Sequence, residues 1–245
     1  AVDRLYELTK DRKTFITTEV GQHQMWAAQR YKFEEPNRWM TSGGLGTMGY
    51  GLPAAIGAQL GNPGKLVIDI AGEASIQMNI QELGTASQYR LPVKVFILNN
   101  EWMGMVRQWQ ELFWAGNYQH VDLSGTPDYV KLADAYGIPA WRVGKPGDVV
   151  AAIQAARARP GPALIEFCVY REENVFPMVP SGAALAEVIP DTPYVPAAVA
   201  TPPTVSTSVS GCTVVPPPLV QLSVIASLNR RFPRRLSDQL EPLAS

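Results

Sequence analysis

The sequence predicts an α/β domain: a doubly wound, mostly parallel sheet with helices on both faces, followed by a disordered C-terminal tail. Three observations lead there. Short apolar, strand-like runs alternate with helix-patterned stretches from residue 2 to residue 169, the order expected of βαβ units. Residues 65–70 and 93–98 are almost continuously apolar, as strands buried on both faces are. Beyond residue 189 the periodicity ends and proline accumulates, including the run Pro216-Pro217-Pro218, so that segment lacks the means to build a core.

The elements follow in order. Residues 2–10 place Val2, Leu5 and Leu8 on one helical face. Residues 14–18 are a short β-branched strand, 23–31 a helix and 38–41 a brief strand. A glycine-rich turn, Thr41 to Gly51, leads into a small-residue helix through Pro53, Ala54, Ala55, Ile56 and Ala58, which Asn62-Pro63-Gly64 ends. A strand at 65–70 precedes helical segments near 75–89. Leu91-Pro92 turns the chain into strand 93–98. Residues 102–113 and 128–136 read as helices, 141–143 as strand, 146–159 as helix and 163–169 as a last apolar strand. Residues 1–189 thus form one domain and 190–245 a tail. Within the tail, residues 219–228 are apolar and Arg230, Arg231, Arg234 and Arg235 follow. This reads as tail in preference to a membrane-surface helix.

Composition narrows the function classes. Apolar residues make up 46% of 245, and the net charge is −1, which gives no basis for nucleic acid or an anionic membrane as partner. No apolar run approaches the eighteen or so residues of a membrane span, and no signal peptide is evident. Two cysteines, Cys168 and Cys212, are too few for a disulfide framework. Cys168 lies in an apolar run and reads as a reduced core thiol, so a reducing cytosol is expected; a bacterial cytoplasm is the expected location. The opening residues read as the inside of a helix, which suggests a fragment of something longer.

Chemistry concentrates at two strand ends. Val67-Ile68-Asp69-Ile70-Ala71-Gly72-Glu73-Ala74-Ser75 stops at a small-residue turn holding one carboxylate, and Val93-Lys94-Val95-Phe96-Ile97-Leu98-Asn99-Asn100 stops at two carboxamides. Parallel strands put both ends on one edge of the sheet, where a carboxylate oxygen and an amide oxygen suit Mg²⁺ with a diphosphate. Taken singly, Glu73 is a helix N-terminal acid and Asn100 a turn residue. A competing reading uses Gly44-x-Gly46-x-x-Gly49 with Asp69 as a dinucleotide fingerprint. Against it stand a short preceding strand, the surplus Gly43 and Gly51, and the place of Asp69 inside an apolar run. The alternative role of the glycines is to let backbone approach a flat, charged cofactor.

The paired strand ends resemble the thiamine diphosphate motif. The flanking words Val20-Gly21-Gln22-His23-Gln24-Met25-Trp26, Trp39-Met40-Thr41-Ser42-Gly43-Gly44-Leu45-Gly46-Thr47-Met48-Gly49, Gly104-Met105-Val106-Arg107-Gln108-Trp109 and Phe176-Pro177-Met178-Val179-Pro180-Ser181-Gly182 are similar to the catalytic large subunit of acetolactate (acetohydroxyacid) synthases. The resemblance runs from about residue 4 to 189 and covers only the C-terminal, diphosphate-binding domain. It implies carboligation of pyruvate with a second pyruvate or 2-ketobutyrate, in branched-chain amino acid biosynthesis. It also implies a parent enzyme with FAD, a homodimeric or tetrameric assembly and a regulatory small subunit.

The resemblance assigns residues as well. Val20, Gly21, Gln22 and His23 would lie at the cofactor's diphosphate, with Gly72, Ala74 and Ser75 giving small side chains and donors. Gly46 and Met48 would flank the aminopyrimidine. Mg²⁺ would take oxygens from Glu73, Asn100 and the Trp102 carbonyl. Met103, Gly104, Met105 and Val106 would close over the thiazolium, and Met105 and Trp109 would line the pocket for the second keto acid. Two positions depart from the family, which has Asp at position 73 and a polar residue or Tyr at position 102. No catalytic residue is expected in this chain, because the glutamate that activates the aminopyrimidine belongs to the pyrimidine-binding domain of the neighbouring subunit. The isolated chain is therefore expected to be inactive. Alternatives are a related thiamine-diphosphate decarboxylase, carboligase or oxidase, and a non-catalytic remnant of the synthase. Met25, Trp26, Met78 and Met103 are equally readable as core, and His120 as a loop residue.

Overall fold

Six strands form one parallel sheet in the order β2-β1-β3-β4-β6-β5, as seen in a computed structural model that describes residues 1–190. The strands are β1 Thr14–Thr18, β2 Trp39–Thr41, β3 Leu66–Gly72, β4 Lys94–Asn99, β5 Ala140–Val143 and β6 Ala163–Cys168. The helices are α1 Val2–Thr9, α2 Gln22–Arg30, α3 Gly51–Gly61, α4 Glu73–Gln77, α5 Glu82–Gln88, α6 Gly104–Phe113, α7 Tyr129–Ala135 and α8 Val149–Ala158. The expected tail, with its apolar and basic stretches and Cys212, lies outside the described residues apart from Pro190.

Both sheet faces are covered, as the unbroken apolar runs require. In β3, Ile68 and Ile70 pack with Val2, Leu5, Ala27 and Ile153, so α1, α2 and α8 cover one face. Val67 and Ala71 pack with Leu52, Ile76, Leu83 and Tyr129, so α3, α4, α5 and α7 cover the other. Each fully buried leucine or isoleucine adds roughly 1.5–3 kcal/mol relative to exposure. The doubly wound expectation holds.

The strand order places the site. From β1 the chain moves to β2 on one side, then returns to β3 on the other. The order reverses between β1 and β3, and the crevice at such a reversal opens at the strands' C-terminal ends. Gly72 of β3 lies opposite Leu98 of β4, so the Gly72-Glu73 turn and the Asn99-Asn100 pair share that edge.

Several expectations need correction. The helix expected from residue 102 starts at Gly104, because residues 101–103 pair instead with 121–123: Met103 N donates to the Val121 carbonyl at 2.8 Å, and Leu123 N to that of Glu101 at 2.9 Å. A 3-10 turn at Pro146–Asp148 precedes α8. Cys168 is an exposed free thiol, not a core residue, since β6 is buried on both faces as far as Phe167 and only its last residue, at the strand's C-terminal end, is left open. Met78 is 54% exposed and is not core. No helix among the described residues is long and apolar enough to cross a membrane.

Candidate cofactor site

Four chain segments meet at the crevice. The first runs from the end of β1 into α2, the second is the glycine-rich turn between β2 and α3, the third is the β3–α4 turn, and the fourth is the loop from β4 to α6. Close backbone approach makes the meeting workable. A Cβ on Gly72 would sit 2.6 Å from His23 Nδ1, and one on Gly104 would sit 2.0 Å from Gln22 Oε1. Glycine at these positions lets α2 lay its first two side chains directly against the neighbouring turns.

His23 is 6% exposed, and its Nε2 lies 3.5 Å from Ser75 Oγ. Burial pushes its pKa down to about 3, only partly offset by a hydrogen bond with the Glu19 backbone. It is therefore a neutral imidazole at physiological pH. Gln22 donates from Nε2 to Gln108 Oε1 at 3.0 Å and to the Glu173 carbonyl at 3.1 Å. Its own Oε1 accepts from Asn100 Nδ2 at 3.2 Å.

That last bond fixes the Asn100 amide. With Nδ2 committed to Gln22, Oδ1 turns toward the Trp102 N–H, from which it accepts at 3.2 Å. Glu73 Oε1 accepts from the same N–H at 2.9 Å. A carboxylate oxygen and a carboxamide oxygen thus converge on one point, both from side chains no more than 5% exposed. Burial raises the Glu73 pKa to about 7, against the opposing pull of backbone N–H groups of residues 100–102. The adjacent Asn99 has both ends of its amide engaged elsewhere: its Nδ2 donates to Glu166 Oε1 at 2.7 Å and its Oδ1 accepts from Glu101 N at 2.9 Å. Of the two carboxamides, only Asn100 presents its oxygen to the cleft.

The glycine-rich turn is held from below. Glu19, fully buried, accepts from Gly49 N at 2.6 Å and Leu52 N at 3.1 Å. Asn79 Nδ2 donates to the Gly49 carbonyl at 2.7 Å. Gly46 and Gly49 have φ of 66° and 88°, which suits residues lacking Cβ. These contacts argue against the dinucleotide reading. The α3 N–H groups that would receive a pyrophosphate are taken by Glu19, and Asp69 is fully buried with Oδ1 accepting from Thr17 Oγ1 at 3.0 Å. Burial, with the Glu19 charge nearby, holds the Asp69 carboxyl well above the usual range.

The crevice is a cleft enclosing about 600 Å³, open solvent at its mouth included. Every residue expected to contact the cofactor lines it, together with Trp26 and Leu98. Trp109 lies outside that lining and is 44% exposed on α6. Sequence reasoning missed Glu19 and gave no role to Gln108, which is 2% exposed and grips Val175 through both backbone groups at 2.8 Å. An acid following a buried strand, and a glutamine among apolar helix positions, were the only available signals.

The donors fit a diphosphate with a hard cation. The neutral His23, Ser75 and the small-residue turn offer room and hydrogen bonds to an anion, while Glu73, Asn100 and the neighbouring backbone offer oxygens of the kind Mg²⁺ prefers. Among the described residues no group of three or more His, Cys, Asp or Glu is placed to hold a metal, so a cation here depends on the carboxamide and backbone oxygens as well.

Comparison with known proteins agrees with this chemistry. Residues 19–167 match the family described as thiamine pyrophosphate enzyme, C-terminal TPP binding domain. The chain is 51% identical over 179 residues to the acetolactate synthase large subunit of Cyanidium caldarium, covering 73% of this chain and 30% of that protein. It is 48% identical over 196 residues to the chloroplastic acetolactate synthase 2 of Nicotiana tabacum, covering 77% and 29%. It is 50% identical over 190 residues to the mitochondrial acetolactate synthase catalytic subunit of Aspergillus candidus, covering 77% and 27%. The chain thus spans about 30% of the length of such relatives. With the match extending over most of the described residues, the chain belongs to the thiamine pyrophosphate enzymes, as their C-terminal TPP-binding domain.

Proposed function

We propose that residues 1–189 form the cofactor domain of an acetolactate synthase large subunit, binding thiamine diphosphate with Mg²⁺ for the joining of pyruvate to a second 2-keto acid. The observation that carries this reading is the convergence of Glu73 Oε1 and Asn100 Oδ1 on the Trp102 N–H, inside the cleft that the glycine turn, His23 and α6 enclose. When bound, the cofactor supplies a ring carbon that adds to the keto group and an electron sink for loss of CO₂, and Mg²⁺ offsets the diphosphate charge.

Residues of this chain bind, orient and exclude water. Glu73, Asn100 and the Trp102 carbonyl hold the cation. His23 is uncharged, so it offers the diphosphate a hydrogen bond without a competing positive charge. Met48, Met105 and Val106 give the reacting end an apolar wall, which keeps water from ionic chemistry. Met105, and by the resemblance Trp109, would face the acceptor acid. The acid that activates the aminopyrimidine comes from outside this chain, so the chain alone makes no product. FAD, a dimeric or tetrameric assembly and a regulatory small subunit belong to the parent enzyme. A bacterial cytoplasm remains our proposed location, beside relatives named as chloroplastic and mitochondrial.

Calorimetric titration of the purified chain with thiamine diphosphate tests the reading. Saturable binding that disappears when Mg²⁺ is chelated is expected, with no acetolactate formed from pyruvate. No binding at millimolar cofactor overturns the site assignment, and acetolactate formation overturns the claim that the active centre is completed from outside.

A further inference from the structure

The loop offering Asn100 and Trp102 is held only in part by its own sequence, through the bonds from Glu101 N to Asn99 Oδ1 and from Trp102 N to Asn100 Oδ1. Glu101, between them, has φ 56°, a left-handed conformation that costs a non-glycine residue energy and persists only where its surroundings impose it. Further contacts come from afar. Arg171, three residues beyond β6, places Nη1 3.3 Å from Glu101 Oε2 and Nη2 3.5 Å from Asp122 Oδ2. Its guanidinium lies 5.0 Å from the Trp102 ring centre, and that of Arg107 lies 5.6 Å from the same ring. Asp122 is itself the residue bridged to Trp102 across the 101–103/121–123 pairing. One side chain therefore joins the left-handed residue, the candidate metal-binding residue after it and the segment paired with both.

We propose that Arg171 is a positioning residue for cation binding: with Arg107 it clamps the Trp102 indole and holds the Glu101 turn, so that the Asn100 oxygen and the Trp102 carbonyl are presented together. This rests on the cofactor reading above. The clamp uses the Trp102 side chain, while the cation would use only that residue's backbone. That gives a physical role to a tryptophan where the resemblance leads one to expect a polar residue or Tyr. Arg171 is 40% exposed at its side chain, so replacing it leaves the core intact, and its ion pairs act mainly through their number and shared geometry.

The test compares wild type with Arg171→Gln and Arg171→Lys. Amide hydrogen exchange is read first, without cofactor. Exchange at residues 101–103 is expected to quicken roughly three- to tenfold in Arg171→Gln, the size of one stacked guanidinium and two weak exposed ion pairs lost together, with the denaturation midpoint unchanged. Mg²⁺ titration at saturating thiamine diphosphate is then expected to show a similar loss of affinity in Arg171→Gln. Arg171→Lys should restore it only in part, because an ammonium keeps the charge but not the planar stack. Unchanged exchange in Arg171→Gln overturns the clamp whether or not cofactor binds. Quickened exchange with unaltered Mg²⁺ affinity overturns its role in cation binding. Failure of wild type to bind overturns the site reading, and with it that role, while exchange still reports the clamp.

Discussion

Replacing Glu73 by Asp puts the least usual residue of the site to a quantitative test. The side chain shortens by one methylene, about 1.5 Å. Glu73 Oε1 now accepts from Trp102 N at 2.9 Å. Withdrawn by that amount along the bond, the oxygen would stand beyond about 4 Å, outside hydrogen-bonding range. The N–H is not stranded, because Asn100 Oδ1 already accepts from it at 3.2 Å. The cost to the cofactor-free chain therefore falls near the low end for a hydrogen bond to a charged acceptor, about 1.5 kcal/mol. The same loss frees the carboxylate for a cation, which in the wild type must compete with the Trp102 N–H. Recovering about 1 kcal/mol of that competition corresponds to roughly fivefold tighter Mg²⁺ binding. The assay is calorimetric titration of Mg²⁺ at saturating thiamine diphosphate, paired with urea denaturation of the cofactor-free protein. Lower stability with tighter binding is expected. Equal or weaker binding would refute the reasoning and show that the turn has adapted to the longer side chain.

Two further outcomes follow from the same geometry. His23 has a folded pKa of about 3 against an ordinary value near 6.5, so the native state binds fewer protons than the unfolded one. Its contribution is complete above pH 6.5 and is lost as pH falls, by about 2 kcal/mol between pH 7 and 5. The raised Glu73, Glu19 and Asp69 carboxyls act in the opposite sense, so the wild-type slope is a sum. Comparing wild type with His23→Gln at each pH isolates the histidine. The stability difference should move by about 2 kcal/mol in favour of the variant from pH 7 to 5, and a constant difference would show that His23 titrates normally. Gly104→Ala places a Cβ 2.0 Å from Gln22 Oε1, forcing Gln22 off Asn100. A loss of about 1–3 kcal/mol in chemical denaturation is expected, with more than tenfold weaker cofactor binding by calorimetry. Wild-type affinity would mean that the Gln22–Asn100 bond does not orient the ligand.

The β3 and β4 ends were legible because two buried parallel strands need mostly apolar side chains, so Glu73 and the two asparagines stand out where each run stops. The glycine turn was equally visible but ambiguous. A helix N-terminus waiting for a phosphate and one already capped by Glu19 have the same local sequence, and only the return of β1 beside α3 distinguishes them. Cys168 was misplaced for a related reason. An apolar run shows that a strand is buried, but not which end protrudes beyond its neighbours.

By itself, then, the sequence determined what local patterning and chemical type can determine: parallel strands alternating with helices, the family resemblance, and the residues that line the cleft. Tertiary structure decided which of those residues have atoms left to offer. Asn99 and Asn100 are chemically identical, yet Glu166 and the Glu101 backbone consume one amide, while Gln22 turns the other's oxygen toward Glu73. Gln108, Arg107 and Arg171 gained their places in the same way. Each depends on partners brought from distant parts of the chain by the strand order, and hydrogen-bond saturation of a buried polar group is settled by those partners and not by its neighbours in sequence.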